Sequence, residues 1–294
     1  MRTIASSCAV AIAFILLGPS LPSSPQQTND PAAVVRGHEQ QFVQEIISNE
    51  LNEQRQDHSL WQFKQDKDEY GRRDTLAVFE TERGDIDRLI AINGQPLTAE
   101  QARTEDVRIA KLISDPKQIQ AEEQERWEDQ QKELRLLRML PNAFRYQYAS
   151  TENGLIKLNF TPDPAFHSTD HESQVFHELA GAIWFDPAAK RLAHMEGRLL
   201  GPVKFGWGIL GHLDEGGAFS VTQQDVGSGF WEMTDLDVHM NGKALFFKTI
   251  SVKQDQHNFD YKPVPSTATL VDAARVTRLD STESASRTAA TPRE

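Results

Sequence analysis

The back half of the chain, from about Ala143 to Tyr261, alternates apolar or β-branched runs with turn signals. The turn signals are Asn153-Gly154, Asp186-Pro187, Gly201-Pro202, Glu215-Gly216-Gly217, Gly227-Ser228-Gly229 and Asn241-Gly242. Asn-Gly between β-rich runs is a strong hairpin signal. The pattern therefore predicts an antiparallel meander, which at this length must curl into a barrel-like or sandwiched shape.

The meander contains the following predicted strands. They lie near 143–149, 155–161, 174–185, 191–200, 203–212, 218–226, 230–240, 244–253 and 257–262. Pro162 to Ser173, which holds two prolines and several polar residues, is predicted to be irregular.

The front half is predicted to mix helices and strands. Residues 32–57 have the apolar stripe of an amphipathic helix. Strands are predicted at 60–65, 75–81 and 86–92, with the charged segment Asp66–Asp74 as a connection. Thr98 is the expected N-cap of a helix to about Met139 with a break at Asp115-Pro116. Beyond the break the helix has few apolar residues. We therefore expect it to be exposed to solvent, with one narrow face packed on the sheet, and we favour this over a helix that binds a partner.

The two ends are predicted to lie outside the domain. Residues 1–24 combine Arg2, an apolar run and a small-residue break, as in a cleaved secretory signal peptide, and the run is short for a membrane span. Residues 264–294 are expected to form a largely disordered tail, with a short helix or strand at 270–279 as an alternative. The chain is therefore predicted to be periplasmic or secreted, with one domain over 32–263.

The predicted fold class is α+β and mainly antiparallel β. We expect a half-open curved β-barrel of about 9–12 strands, with helices packed on or across its concave side.

Composition excludes several classes of function. The sole cysteine, Cys8, lies in the signal and too early for a lipoprotein cleavage site, so the mature chain has no thiol for disulfides or metal. The net charge of −12 argues against a nucleic acid partner. The mean hydropathy of −0.53 argues against an integral membrane span after signal removal.

Histidines and acids cluster between His167 and Glu178, with Asp170, His171, Glu172 and His177 between them. Such groups suit a metal ion, but His177-Glu178 lacks a second histidine one helical turn on. A strand there would also point these two side chains to opposite faces. We therefore predict no metal and no cofactor.

Asp235, Asp237 and His239 alternate along one strand, with Phe230, Glu232 and other residues on its second face. A solvated outer face explains this alternation more simply than a catalytic pair. No nucleophile elbow is present either, so no catalytic residue is predicted.

Aromatic residues occur on nearly every predicted strand. They either fill the core or line an apolar groove, and composition does not separate these roles. Six are candidate groove residues for a ligand: Trp184, Phe205, Trp207, Phe219, Trp231 and Phe246.

Three stretches resemble a known family. Ile92–Thr98 before a charged helix, Gly181–Asp186, and Gly206–Gly211 followed by Trp231 are similar to uncharacterised bacterial secreted proteins. With the order of elements, they resemble the LolA/LolB/RseB-type superfamily over roughly 42–262. The resemblance implies a helix-capped half-barrel whose apolar cavity accepts lipid or lipoprotein acyl chains.

The expected function is thus a non-enzymatic periplasmic carrier that binds a hydrophobic ligand or lipoprotein acyl chain. One alternative is an envelope hydrolase that uses the His167–Glu178 cluster. Another is an envelope sensor that binds a protein partner on its concave face.

Overall fold

The computed structural model of the protein describes residues 31–205, 211–244 and 248–290. The predicted signal segment, residues 1–24, lies outside the described residues. From Pro31 onward the chain forms one compact unit of α+β class, with 46% strand and 35% helix. The helices are α1 (Pro31–Val35), α2 (Glu39–Gln56), α3 (Ala99–Ser114), α4 (Pro116–Ala143) and α5 (Leu270–Ala290), with a 3₁₀ helix at Glu172–His177.

The described strands form one antiparallel sheet of 13 strands. They are β1 (Leu60–Glu69), β2 (Arg72–Thr81), β3 (Gly84–Ile92), β4 (Gln95–Pro96), β5 (Phe144–Glu152), β6 (Leu155–Pro162), β7 (Leu179–Asp186), β8 (Arg191–Leu199), β9 (Val203–Phe205), β10 (Gly211–Leu213), β11 (Ala218–Gly227), β12 (Phe230–Ala244) and β13 (Lys248–Val264). Their order is β4-β3-β2-β1-β13-β12-β11-β8-β7-β6-β5, with β10 beside β12 and β9 beside β10. The end strands β4 and β5 do not pair, so the sheet is open.

Two-residue turns close several hairpins. Asn153 and Gly154 adopt φ angles of 51° and 84°, and Ser228 and Gly229 adopt 59° and 85°. These left-handed pairs match the twist of the flanking strands. Both hairpins confirm the turns predicted from sequence.

Cross-strand pairing gives the sheet two continuous faces, which we name by their residues. The aromatic face carries Phe63 opposite Val78, Phe219 opposite Gly197, and Phe160 opposite Tyr146. The acidic face carries Asp66 opposite His257 and Asp237 opposite Asp255. Directly opposed residues share a face, so this assignment follows from the register.

The main core covers the aromatic face of β5–β8. Val43, Ile46 and Ile47 of α2 pack there with Phe144, at the end of α4, and with Phe185 of β7. The remaining buried members are Val35, Leu140, Ala143, Ile156, Leu158, Phe160, Phe176, Leu179, Ile183, Leu192, Met195, Leu199 and Val203. The predicted apolar stripe of the first helix is thus confirmed, although Gly37, at φ 83°, separates α1 from α2.

Helix α5 corrects the expectation of a disordered tail. It packs on the other face of β2 and β3, where Ala273 is buried with Phe79 and Ile86. The buried guanidinium of Arg88 donates to the Thr277 hydroxyl at 3.2 Å and to the Ala274 carbonyl at 3.3 Å. Leu270 and Val276 of α5 also pack against this cluster, so the short helix given as the alternative at 270–279 is present and extends to Ala290.

Four other expectations are corrected. Residues 66–74 are not a loop, because β1 and β2 continue to a tight turn at Tyr70-Gly71. Asn241-Gly242 lies inside β12, where a Cβ on Gly242 would come 2.1 Å from the His212 carbonyl oxygen of β10. The segment 174–178 is 3₁₀ helix and its end, and β12 and β13 replace the three strands predicted over 230–262.

A buried ion pair attaches α2 to the sheet. Glu50 accepts hydrogen bonds from Arg191 Nε at 2.9 Å and from the Leu192 N–H at 2.6 Å. Both side chains are almost fully buried, with 5% and 11% exposed. The pairing of β8 with β11 ends at His194 opposite Thr222. Beyond that point, Glu50 supplies a hydrogen-bond acceptor for the Leu192 N–H of β8.

Replacing Glu50 by Ala should lower the free energy of unfolding by about 3–5 kcal/mol, because Arg191 would be left buried without a counter-charge. Urea unfolding measures this change. Glu45→Ala on the exposed side of the same helix is the control and should change stability by less than about 0.5 kcal/mol. Equal stability of both variants would contradict the assigned role of the pair.

Removing α5 by ending the chain after Thr269 should destabilise the whole protein, since Arg88 would lose its two acceptors on α5, and Phe79 and Ile86 would lose part of their cover. We expect a loss of at least about 2 kcal/mol in urea unfolding. A chain ending after Ala290 should match the full-length protein. Identical stability of both truncations would show that α5 does not support the sheet.

Candidate functional site

A cavity of about 630 Å³ lies between the aromatic face of β1–β3 and the helices α3 and α4. Phe63, Val78 and Leu112 supply its apolar lining. Its polar lining comes from the strand residues Gln65, Glu80, Asp85 and Asp87 and the helix residues Arg108, Lys111, Gln118, Glu122 and Arg126. Its volume lies within the range of about 300–1,000 Å³ that is usual for small-molecule sites.

Helix α3 forms one wall because it is fixed along the free edge of β3. It begins at Thr98 with the capping box that the sequence predicts. Glu105 accepts the Leu89 N–H at 2.9 Å and binds Arg108 at 2.8 Å. Burial alone would raise the pKa of Glu105, but these hydrogen bonds outweigh it and hold the pKa below its ordinary value. Arg108 also donates to the carbonyl oxygen of Asp87.

Helix α4 crosses above the cavity. Asp115 caps it by accepting the Lys117 N–H at 3.0 Å. Two ion pairs join α4 to the β2–β3 hairpin: Arg126 with Asp85 at 3.0 Å and Arg83 with Glu123 at 3.3 Å. The predicted break at Asp115-Pro116 is confirmed, and it lets α4 leave the direction of α3.

Trp61 and two carboxyl groups lie beside the cavity. The Trp61 ring makes edge contacts with Phe230 at 5.6 Å and Tyr261 at 5.9 Å, and its backbone N–H donates to Glu80 at 2.8 Å. Burial raises the pKa of Glu80 to about 7. Burial, with repulsion from Asp57, raises the pKa of Glu232 to about 7 as well. Two carboxyl groups on this face therefore change charge near neutral pH.

A larger acidic cleft of about 1140 Å³ adjoins the cavity between α4 and the β2–β3 hairpin, and shares Asp85, Glu122 and Arg126 with it. Its carboxylates are Glu82, Asp85, Glu122, Glu123, Glu125, Asp129 and Glu133, and Arg126 is the one guanidinium in its lining. Trp127, which is 57% exposed, also lines this cleft.

Four of the six candidate groove residues lie in the described part of the chain. Phe205 and Phe219 pack against the main core, and Phe219 covers Gly197. Trp184 lies on the opposite face from Ile183, with Lys157 Nζ 4.4 Å from its ring centre. The guanidinium of Arg191 lies 5.7 Å from the Trp231 ring. Trp207 and Phe246 lie outside the described residues, so a groove formed by the six stays a prediction.

The His167–Glu178 segment is spread along a loop and the 3₁₀ helix. Asp170 binds Arg135 of α4 at 2.9 Å and accepts the Ser173 N–H at 2.8 Å. The His177 ring packs 5.4 Å from Phe166. Its acidic members thus anchor the segment to α4.

Asp237, His239 and Asp255 bring three possible metal ligands within 4.8 Å of one another on the acidic face. His239 Nε2 lies 3.3 Å from Asp237 and 3.4 Å from Asp255. Asp235 instead pairs with His257 at 2.8 Å. The histidine bridges the two carboxylates by itself, so these contacts are accounted for without an ion.

Sequence analysis missed the residues around the cavity. Glu80 follows the apolar run Leu76–Phe79, and Glu232 shares its strand face with Phe230, Leu236, Val238 and Met240. An acidic residue at a position where the strand pattern expects an apolar one was the sequence feature that could have located the site. The contribution of α3 and α4 depends on tertiary packing, which strand and helix patterns do not contain.

No protein-family model, curated protein or solved structure matches the chain. No helix in the described ranges is long and apolar enough to cross a membrane.

Replacing Glu80 by Gln should stabilise the protein at high pH. Glu80 titrates near pH 4.5 when unfolded and at about 7 when folded, so its contribution is present at low pH and lost as pH rises through that window. Gln keeps an acceptor for the Trp61 N–H and has no charge to bury. We expect a gain of about 1–2 kcal/mol at about pH 8 and none at about pH 4.5, measured by urea unfolding.

The matched control is Glu123→Gln on α4, whose carboxylate is partly exposed and ion-paired. It should give no gain at high pH. A Glu80→Gln variant whose stability differs from wild type equally at both pH values would refute the raised pKa.

Proposed function

We propose that this protein is a non-enzymatic binding or carrier protein that holds the apolar part of a ligand in the cavity under α4. The observation that supports this is the combination of a hollow of about 630 Å³ with Phe63, Val78 and Leu112 at its lining. An apolar lining with a few polar groups is the usual design of a small-molecule site. The ligand class of this proposal is a lipid or an acyl chain of a lipoprotein.

The fold supports the proposal in a second way. An open antiparallel sheet crossed by α4 is compatible with a half-open barrel, the architecture that the resemblance to LolA-like proteins implies. In that arrangement the aromatic face is the concave side and α4 covers its mouth. The ion pairs Arg126–Asp85 and Arg83–Glu123 hold this part of the cover to the sheet.

The site of action in this proposal is the bacterial periplasm, after removal of residues 1–24. Its support is the signal-like sequence pattern alone. Delivery of the ligand to an envelope protein would then be a further step.

The first test is the identification of a bound ligand. Protein purified from cells without detergent is examined by native mass spectrometry and by organic extraction. The proposal expects an apolar or amphipathic molecule in roughly stoichiometric amount. An empty protein that also fails to bind decyl maltoside, a neutral amphiphile, in calorimetry would refute it.

The second test fills the cavity from its helical wall. Gln118→Trp introduces an indole at a cavity-lining position and should weaken decyl maltoside binding by about tenfold or more, because the ring occupies the space of the chain. Gln120→Trp is the control, since positions two apart point to nearly opposite sides of a helix. Gln120 is exposed and should leave the affinity unchanged. Equal affinities of both variants would place binding elsewhere.

A further inference from the structure

Three glutamates with largely buried side chains accept the N–H of a strand residue, and in the described part of the chain Glu80 is the one among them without an arginine partner. Glu50 accepts the Leu192 N–H and binds Arg191 at 2.9 Å. Glu105 accepts the Leu89 N–H and binds Arg108 at 2.8 Å.

Glu80 accepts the Trp61 N–H at 2.8 Å but makes no ion pair within the described part of the chain. The nearest guanidinium across the cavity, Arg126, is committed to Asp85. A carboxylate offers about four acceptor positions, and one N–H leaves most of them unused. Because Glu80 lines the cavity, the position that a cation would take opens onto it.

The other charged residues of the cavity lining also favour a positively charged ligand. Arg108 is bound by Glu105 and Asp87, and Arg126 by Asp85, so both cations are already neutralised. Lys111 is the one remaining cation in the described lining. Glu122 accepts only an amide hydrogen bond, from Gln118 at 3.0 Å. In the described lining, Glu80 and Glu122 are thus carboxylates without a cationic partner, against one lysine without a carboxylate partner.

The route to the cavity is also negative. The acidic cleft shares Asp85 and Glu122 with the cavity, and seven carboxylates line it against one guanidinium. Such a lining attracts cations and repels anions during approach. The negative potential of the cleft would therefore repel an anionic ligand such as a fatty acid or an acyl phosphate.

We propose that the ligand is a cationic amphiphile, whose amine or ammonium group binds the Glu80 carboxylate while its apolar body packs against Phe63, Val78 and Leu112. This inference rests on the proposed function of the cavity. It specifies the head group, which the fold class and the family resemblance leave open.

The test compares three amphiphiles with the same ten-carbon chain: decylammonium, decyl sulfate and decyl maltoside, each below its micelle concentration. Calorimetry and Trp fluorescence at about pH 8 measure their affinities. Decylammonium should bind at least about tenfold more tightly than decyl sulfate, since a buried charge pair contributes strongly. Glu80→Gln should remove this preference.

Glu123→Gln is the matched control, because Glu123 is bound to Arg83 in the neighbouring cleft and does not line the cavity. Its decylammonium affinity should change by less than about twofold. Urea unfolding of Glu80→Gln at about pH 8, where the variant should be at least as stable as wild type, shows that a lost preference is not caused by unfolding.

The pH profile supplies a second readout. Decylammonium stays charged throughout, so its affinity should fall as pH is lowered from about 8 to about 5 and Glu80 takes up a proton. The charged and titratable groups around Glu80 are Asp85 of β3, Glu232 of β12, Tyr261 of β13 and Arg126 of α4. Glu232→Gln should retain the pH dependence, whereas Glu80→Gln should lose it.

The outcomes separate this inference from the proposed function. If decyl sulfate or decyl maltoside binds as tightly as decylammonium, or if Glu80→Gln keeps the preference for ammonium, the head-group assignment is overturned while the carrier function stands. If none of the three amphiphiles binds, the proposed function itself fails.

Discussion

The fold depends on glutamates that bond the unpaired backbone edges of an open sheet. A sheet that does not close leaves strand N–H groups exposed, and such edges invite aggregation unless they are covered. Glu105 of α3 binds the Leu89 N–H at one edge, and Glu50 of α2 binds the Leu192 N–H where β8 leaves β11. Glu39, at the start of α2, also interacts with the backbone N–H of Tyr148 in the other end strand. Helices therefore serve this sheet as edge covers as well as core elements.

Edge covering also explains how the cavity remains open. Glu105 and Arg108 hold α3 to the side of β3, so α3 does not lie flat on the aromatic face. Helix α4 then departs at Asp115 and crosses above β1–β3, held by polar contacts to the β2–β3 hairpin. Because the contacts lie at the rim, the space between α4 and the strands does not fill with side chains. The main core forms instead at β5–β8.

The sequence predicted those parts of the fold that depend on neighbours in the chain. The Thr98 capping box, the break at Asp115-Pro116 and the Asn153-Gly154 hairpin are local patterns, and all are present. The failures involve distant partners. Gly242 resembles a turn glycine, but it is required because β10 passes close to β12.

Distant partners also explain why the sequence did not fully predict helix α5 and did not predict the cavity. The sequence predicted helix α5 only as an alternative to a disordered tail, because part of its support comes from Arg88, almost two hundred residues earlier by the chain numbering. The aromatic residues predicted a groove between Trp184 and Phe246, whereas the cavity is lined by residues of β1–β3, α3 and α4. Only the acids at apolar positions, Glu80 and Glu232, marked the site in the sequence.

Glu80 differs in kind from Glu50 and Glu105. Glu50 and Glu105 each bring an arginine that offsets the desolvation of the carboxylate, so their charge stabilises the fold. Glu80 has the backbone hydrogen bond without the arginine, and its raised pKa records the energy that burying its charge costs. A glutamine would supply the same hydrogen-bond acceptor without that cost. The negative charge at this position is therefore dispensable for folding, and the proposed binding of an ammonium group would give it a role.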